Sequence, residues 1–365
     1  MPAPETEQPS APMTAVRHVA MPLVMQSPPR VSAASLGARD HLSMRRLTWV
    51  RIAFGVFFAI NLGLHFSPQY AAHFALDVQH AANAAGQPHW LGAWAGAMLH
   101  GMQAVGMNKA LAVLFGIEAL LTVGLLTGWG FPALGWLGLV YELFLWSTIG
   151  GLGGPYASGA TDPGTAIVYA LGFALILLLR AWQGAAWAGP ALQRPAMQRV
   201  RWGYWLFGLL WAFDAWWKWQ PGFLQHFDSF LLSAQAGQPA WIADWIAAFI
   251  GLAHAIGAGR LAVLAALAET AIATGLLLSP WLPALWTRLA LWGGLIYSLA
   301  LWTTAEGFGG PYGPGFTGNK GDVLGTTTVY ALIFLFLLAA QYWLSPADVP
   351  ARQEERHAWS KTGPG

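Results

Sequence analysis

Few side chains in this sequence can move a proton or hold an ion. Glu118 and Glu269 lie inside long apolar runs. Each falls nine residues past the basic residue that opens its run, Lys109 (118 − 109) or Arg260 (269 − 260). On a helix that is roughly 13 Å. A carboxyl so deep is protonated or paired. Each glutamate is therefore either a proton carrier to or from a redox ligand in the bilayer, or an interhelical hydrogen bond. Asp214 and Lys218 stand four apart in FDAWWKWQP and share a helical face, and Pro221 ends that helix. They are either a self-satisfying pair or an anion-attracting lysine steadied by an aspartate.

His226 follows Pro221 in an outer loop, where a histidine binds an anion, shuttles protons or simply sits at the interface. Arg260, Glu306, Lys320 and Asp322 fall around the outer rim of the second half, with Tyr312 in the same loop as Glu306. Basic groups there suit a small oxyanion, and they equally suit snorkelling helix ends. No histidine-rich helix pair or HExxH spacing marks a metal, and the second half offers only His226 and His254 as haem ligands. EGFGGPYGPG lacks the strand context of a dinucleotide fingerprint. In GFTGNKGD, Lys320 is followed by Gly321 rather than the Ser or Thr of a phosphate-binding loop.

The elements that must position these groups are apolar. Only 9% of the 365 residues are charged and 56% are hydrophobic, against about 25% charged in soluble domains. The net charge of +2 gives no reason to expect nucleic acid. With no cysteine, disulfides, thiolate nucleophiles and Cys-ligated iron–sulfur clusters are excluded, so electron chemistry needs a bound cofactor or a partner. Runs near 20 residues predict spans at 48–65, 109–128, 131–149, 164–182, 202–219, 260–279, 283–304 and 325–344. Residues 91–105 and 241–256 read as interfacial or re-entrant helices. Arg180, Arg194, Arg199, Arg201 and Arg288 fall on one side, with Lys109, Lys218, Arg260 and Lys320 on the other. The positive-inside rule then places both termini in the cytoplasm.

The chain also repeats itself. Gly55, Pro68, His73 and Phe74 match Gly208, Pro221, His226 and Phe227 at 153 residues' distance (208 − 55). Trp90, Glu118 and Gly124 match Trp241, Glu269 and Gly275 at 151 (269 − 118). Trp146, Pro155 and Tyr156 match Trp302, Pro311 and Tyr312 at 156 (302 − 146), and Tyr169 pairs with Tyr330. The order predicts an all-α integral membrane protein of two tandem four-helix units, a parallel repeat. A disordered cytoplasmic tail is expected at 1–44, the units at 45–183 and 201–345, a linker at 184–200, and a polar tail at 346–365. The copies differ chemically. Asn61 and His65 become Asp214 and Lys218, Lys109 becomes Arg260, and Gly150 becomes Glu306. Scarce charge marks the second unit as the better candidate for a working site.

The Gly208 helix with Lys218 and Pro221, Glu269 in the next span, and EGFGGPYGPG before the last span resemble the DoxX/DoxD family, especially the DoxD-like membrane subunit of thiosulfate:quinone oxidoreductase. The similarity covers 45–345, twice over. It implies oxidation of thiosulfate to tetrathionate outside the cytoplasm, with quinone as electron acceptor, in a bacterial or archaeal cell membrane. It also implies a DoxA-like extracytoplasmic subunit, which this chain lacks. On the residues, Asp214, Glu269 and Glu118 are the proton-handling candidates. Lys218, His226, Arg260, Lys320, Glu306, Tyr312 and Asp322 are the substrate-binding candidates, with no metal. A non-catalytic anchor for a periplasmic redox partner is the alternative.

Overall fold

The computed structural model describes residues 33–66, 68–154, 162–183, 197–309 and 324–341, and every regular element among them is helical. Helices run α1 (Ala33–His65), α2 (Pro68–Ala82), α3 (His89–Val105), α4 (Met107–Thr127), α5 (Ala133–Ser147) and α6 (Thr165–Leu179). They continue as α7 (Met197–Lys218), α8 (Pro221–Gln225), α9 (Phe227–Gln235), α10 (Ala240–Ile256), α11 (Ala258–Leu277), α12 (Ala284–Thr303) and α13 (Thr326–Gln341). Helix α1 begins inside the stretch expected to be a tail. The two GGPY phrases, most of the expected linker and the C-terminal tail lie outside the described residues, as do Tyr312, Lys320 and Asp322.

Among the described residues, four helices are long and apolar enough to cross a membrane, at Met44–His65, Met107–Thr127, Ala258–Leu277 and Ala284–Thr303. The protein is therefore a multi-pass helical membrane protein. Three further expected spans are shorter apolar helices, α5, α6 and α13. The expected span at 202–219 is α7, whose Arg199, Arg201, Asp214 and Lys218 make it more polar.

Burial explains the short pair. From Val168 to Ile176 and from Val329 to Phe334, α6 and α13 are almost wholly enclosed. They touch each other, and Oγ1 of Thr165 and Thr326 meet at 2.5 Å where the two helices begin. Helix α1 packs on α13, and α7 on α6, so both central helices are screened from lipid. The outer helices carry the lipid contact instead. Trp136 and Val140 on α5, and Trp292 and Ile296 on α12, are exposed and four apart, an apolar stripe turned outward.

Close approach depends on small residues. A Cβ on Gly55 would lie 3.0 Å from Leu125 of α4, and one on Gly208 would lie 2.9 Å from Leu277 of α11. These glycines set the α1–α4 and α7–α11 contacts.

Candidate functional site

Four helix ends meet at one end of the second half. Helix α7 finishes at Lys218, α12 finishes at Thr303, α11 starts at Ala258, and α13 starts at Thr326. Between them lies a cavity of about 740 Å³, a size typical of small-molecule sites. Its walls include Trp211, Phe223, Phe227, Phe230, Tyr297 and Tyr330, together with Asp214, Lys218, Glu269, Glu306 and Asp162.

The polar groups of this cavity form one network. Trp211, Asp214 and Lys218 lie at i, i+3 and i+7 of α7 and so share a face. Tyr330 donates to Oδ2 of Asp214 at 2.7 Å, and Tyr297 donates to Oε1 of Glu269 at 3.0 Å. Lys218 Nζ lies 3.8 Å from the same Oε1, an ion-pair distance longer than a hydrogen bond. It also stands 5.0 Å from the centre of the Phe223 ring, within cation–π range. Asp214 and Glu269 are 4% and 1% exposed. Asp214 Oδ1, Glu269 Oε2 and Trp211 Nε1 are buried with no hydrogen-bond partner among the described residues. Each such orphan costs about 1–3 kcal/mol and needs a reason. A ligand with hydrogen-bonding ends supplies one.

The other half carries a related constellation, in which Asn61 Oδ1 and His65 Nε2 are the buried atoms without a hydrogen-bond partner among the described residues. Glu118 accepts from Tyr141 at 2.6 Å through Oε1 and lies 2.7 Å from His65 Nδ1 through Oε2, so both its oxygens are occupied. Asn61 donates to the hydroxyl of Tyr169 at 2.8 Å. Tyr70 stacks on His65 with ring centres 4.1 Å apart, as Phe223 stands by Lys218.

Of the expected site residues, Asp214, Lys218, Glu269 and Glu306 come together in the cavity wall. Glu118 belongs to the other constellation. His226 is exposed at the junction of α8 and α9, where its carbonyl accepts from Ser229 Oγ. Arg260 is exposed in a separate surface recess with Ile256 and Val263. That recess shares Leu264 with the cavity. Glu306 also has a local task. Both its oxygens accept from the Thr327 amide at 3.1 Å and Oε2 accepts from the Thr327 hydroxyl at 2.5 Å, capping α13.

Sequence reasoning did not assign a site role to Tyr297, Tyr330, Trp211 or Asp162. Tyr297 stands 156 residues from Tyr141 (297 − 141), the offset already shared by Trp146 and Trp302. That recurrence, with the Tyr169–Tyr330 pair, was a signal for both tyrosines.

The fold and site thus define a multi-pass helical membrane protein with an aromatic, carboxyl-lined cavity opening among its helix ends. Compared with known proteins, the chain matches no family model, no curated protein and no solved structure.

Proposed function

We propose that the chain is the membrane, quinone-reducing component of a thiosulfate:quinone oxidoreductase-like system, built as two tandem four-helix units with both termini cytoplasmic. One observation carries the cavity's part. Asp214 and Glu269 each hold one carboxyl oxygen with a tyrosine and leave the other oxygen without a partner, beside the orphan Trp211 Nε1. An aromatic-walled cavity with two carboxyls and one N–H donor fits a quinone ring, whose two oxygens accept hydrogen bonds before reduction and donate them afterwards.

The bound quinone supplies a two-electron, two-proton acceptor. Joining two thiosulfates through a new S–S bond gives tetrathionate and releases two electrons, so electrons balance. Asp214 and Glu269 supply the two protons through Oδ1 and Oε2. Trp211 orients the ring oxygen from α7. Lys218, near Oε1, stabilises the Glu269 carboxylate left when its proton is given up. Tyr330 and Tyr297 keep both carboxyls in place.

The cavity does not suit the thiosulfate dianion itself. Among the described residues its walls carry four carboxyl groups and one ammonium. Thiosulfate would instead be met outside the cavity, on the resemblance's terms by a DoxA-like subunit, with Arg260 and His226 on the outer surface. The duplication rests on the paired constellations and the 151- to 161-residue offsets (269 − 118, 330 − 169).

Membranes containing the chain, given its redox partner, should reduce a short-chain benzoquinone on addition of thiosulfate. Asp214→Asn and Glu269→Gln should each abolish this. Native rates in both variants would reject the proposal.

A further inference from the structure

Asp162 belongs by sequence to the first half, yet it lines the same cavity of the second half as Asp214 and Glu269. We infer that Asp162 is the group through which the cavity's buried carboxyls exchange protons with the outer surface, so the first half completes the second half's site. This rests on the reading of those carboxyls as proton donors.

The placement of Asp162 is built. Its Oδ1 accepts from the Gly164 amide at 2.7 Å. The neighbouring Pro163 carbonyl accepts from Trp146 Nε1 at 2.7 Å. Gly153, at φ +79, packs directly on the Pro163 backbone, where any Cβ would collide. Thr165 then ties the start of α6 to Thr326 on α13. These contacts carry the carboxyl across the boundary between halves.

Exposure decides its role. Asp214 and Glu269 are enclosed, whereas Asp162 is half-buried. It is also an electrostatic neighbour of Asp214, Glu269 and Tyr330. The ionisable groups that line the cavity with it are Asp214 and Lys218 on α7, Glu269 on α11, Tyr297 on α12, Glu306 beyond α12 and Tyr330 on α13. Glu306 is the other half-buried carboxyl in the wall, but Thr327 engages both its oxygens as the α13 cap. Among the described residues, Asp162 is the half-buried carboxyl of the wall that is also an electrostatic neighbour of the buried pair. A proton moves from water to Asp162, and from Asp162 to the carboxylate left on Asp214 or Glu269.

Infrared spectra of the full chain in lipid, moved from H₂O to D₂O at acidic pH, follow deuteration of the buried carboxyl C=O bands. Asp214→Asn and Glu269→Gln assign the bands. Asp162→Asn should slow deuteration by about tenfold or more, Asp162→Glu should restore it, and millimolar formate should quicken the Asn variant. Native exchange in Asp162→Asn overturns the relay. Slowed exchange that neither Glu nor formate restores also overturns it, in favour of simple packing. The measurement needs no quinone. A native chain that exchanges as expected but reduces no quinone therefore overturns only the preceding reading.

Discussion

Tyr330 donates its hydroxyl to Oδ2 of Asp214 at 2.7 Å, tying the enclosed helix α13 to α7. In the first half the same positions reverse the polarity of the bond, because Asn61 is the donor and the Tyr169 oxygen accepts. An amide neither gives up nor takes a proton at this site, whereas a carboxyl does. One substitution between matching helices thus separates a structural tie from a proton-handling group.

Removing the Tyr330 hydroxyl takes a hydrogen bond from Oδ2 of Asp214, whose Oδ1 already lacks a hydrogen-bond partner. Leaving a buried polar group without its partner costs about 1–3 kcal/mol. Tyr330→Phe should lower unfolding stability in detergent by that amount, while Tyr169→Phe should cost about 1 kcal/mol. Equal losses would contradict the distinction.

The two glutamates should separate in the same way. Glu269 keeps Oε2 without a partner, whereas Glu118 spends both oxygens on Tyr141 and His65. Glu269→Gln should abolish quinone reduction with the fold retained. Glu118→Gln should weaken the first half's packing and leave quinone reduction per folded molecule near native. Steady-state rates normalised to folded protein decide this.

Glu306 caps α13 through the Thr327 amide. Glu306→Ala removes an anionic cap from a helix N-terminus, a loss of about 0.5–2 kcal/mol. Thermal unfolding should shift down, and amide exchange should rise first in the opening turn of α13.

Gly294 on α12 faces the Phe334 ring so closely that an added Cβ would land in it, and Gly138 on α5 meets Phe173 in the same manner. Gly294→Ala and Gly138→Ala should each destabilise by about 1–3 kcal/mol through overpacking. Matching losses, measured by denaturant titration, would reflect matching packing in the two halves.

Much of this architecture was legible because lipid-facing helices write their length in apolar residues. Four long apolar helices, the presence of helices at α3 and α10, and the charged residues of α7 all follow from composition and spacing. Asp214, Lys218 and Glu269 were legible as site residues because charge is scarce in such helices. Tyr297 and Tyr330 were not, since a tyrosine in an apolar run reads equally as interfacial or packed. Asp162 could not be assigned from local pattern. Its place in the cavity depends on α6 and α13 meeting side by side, a contact between residues 161 apart (326 − 165). Helix periodicity does not encode that contact. That α6 and α13 are enclosed by their neighbours was not legible either, because burial depends on which helices meet.

The central claim is that the cavity among α7, α11, α12 and α13 receives a quinone ring. Photolabelling of the full chain in lipid with an azido-benzoquinone, followed by peptide mapping, tests it directly. The account predicts adducts on the segments holding Trp211 to Lys218, Leu261 to Glu269 and Thr326 to Tyr330, all suppressed by excess unlabelled quinone. Labelling confined to the outward faces, such as Trp136 and Trp292, or insensitive to competitor, would contradict it.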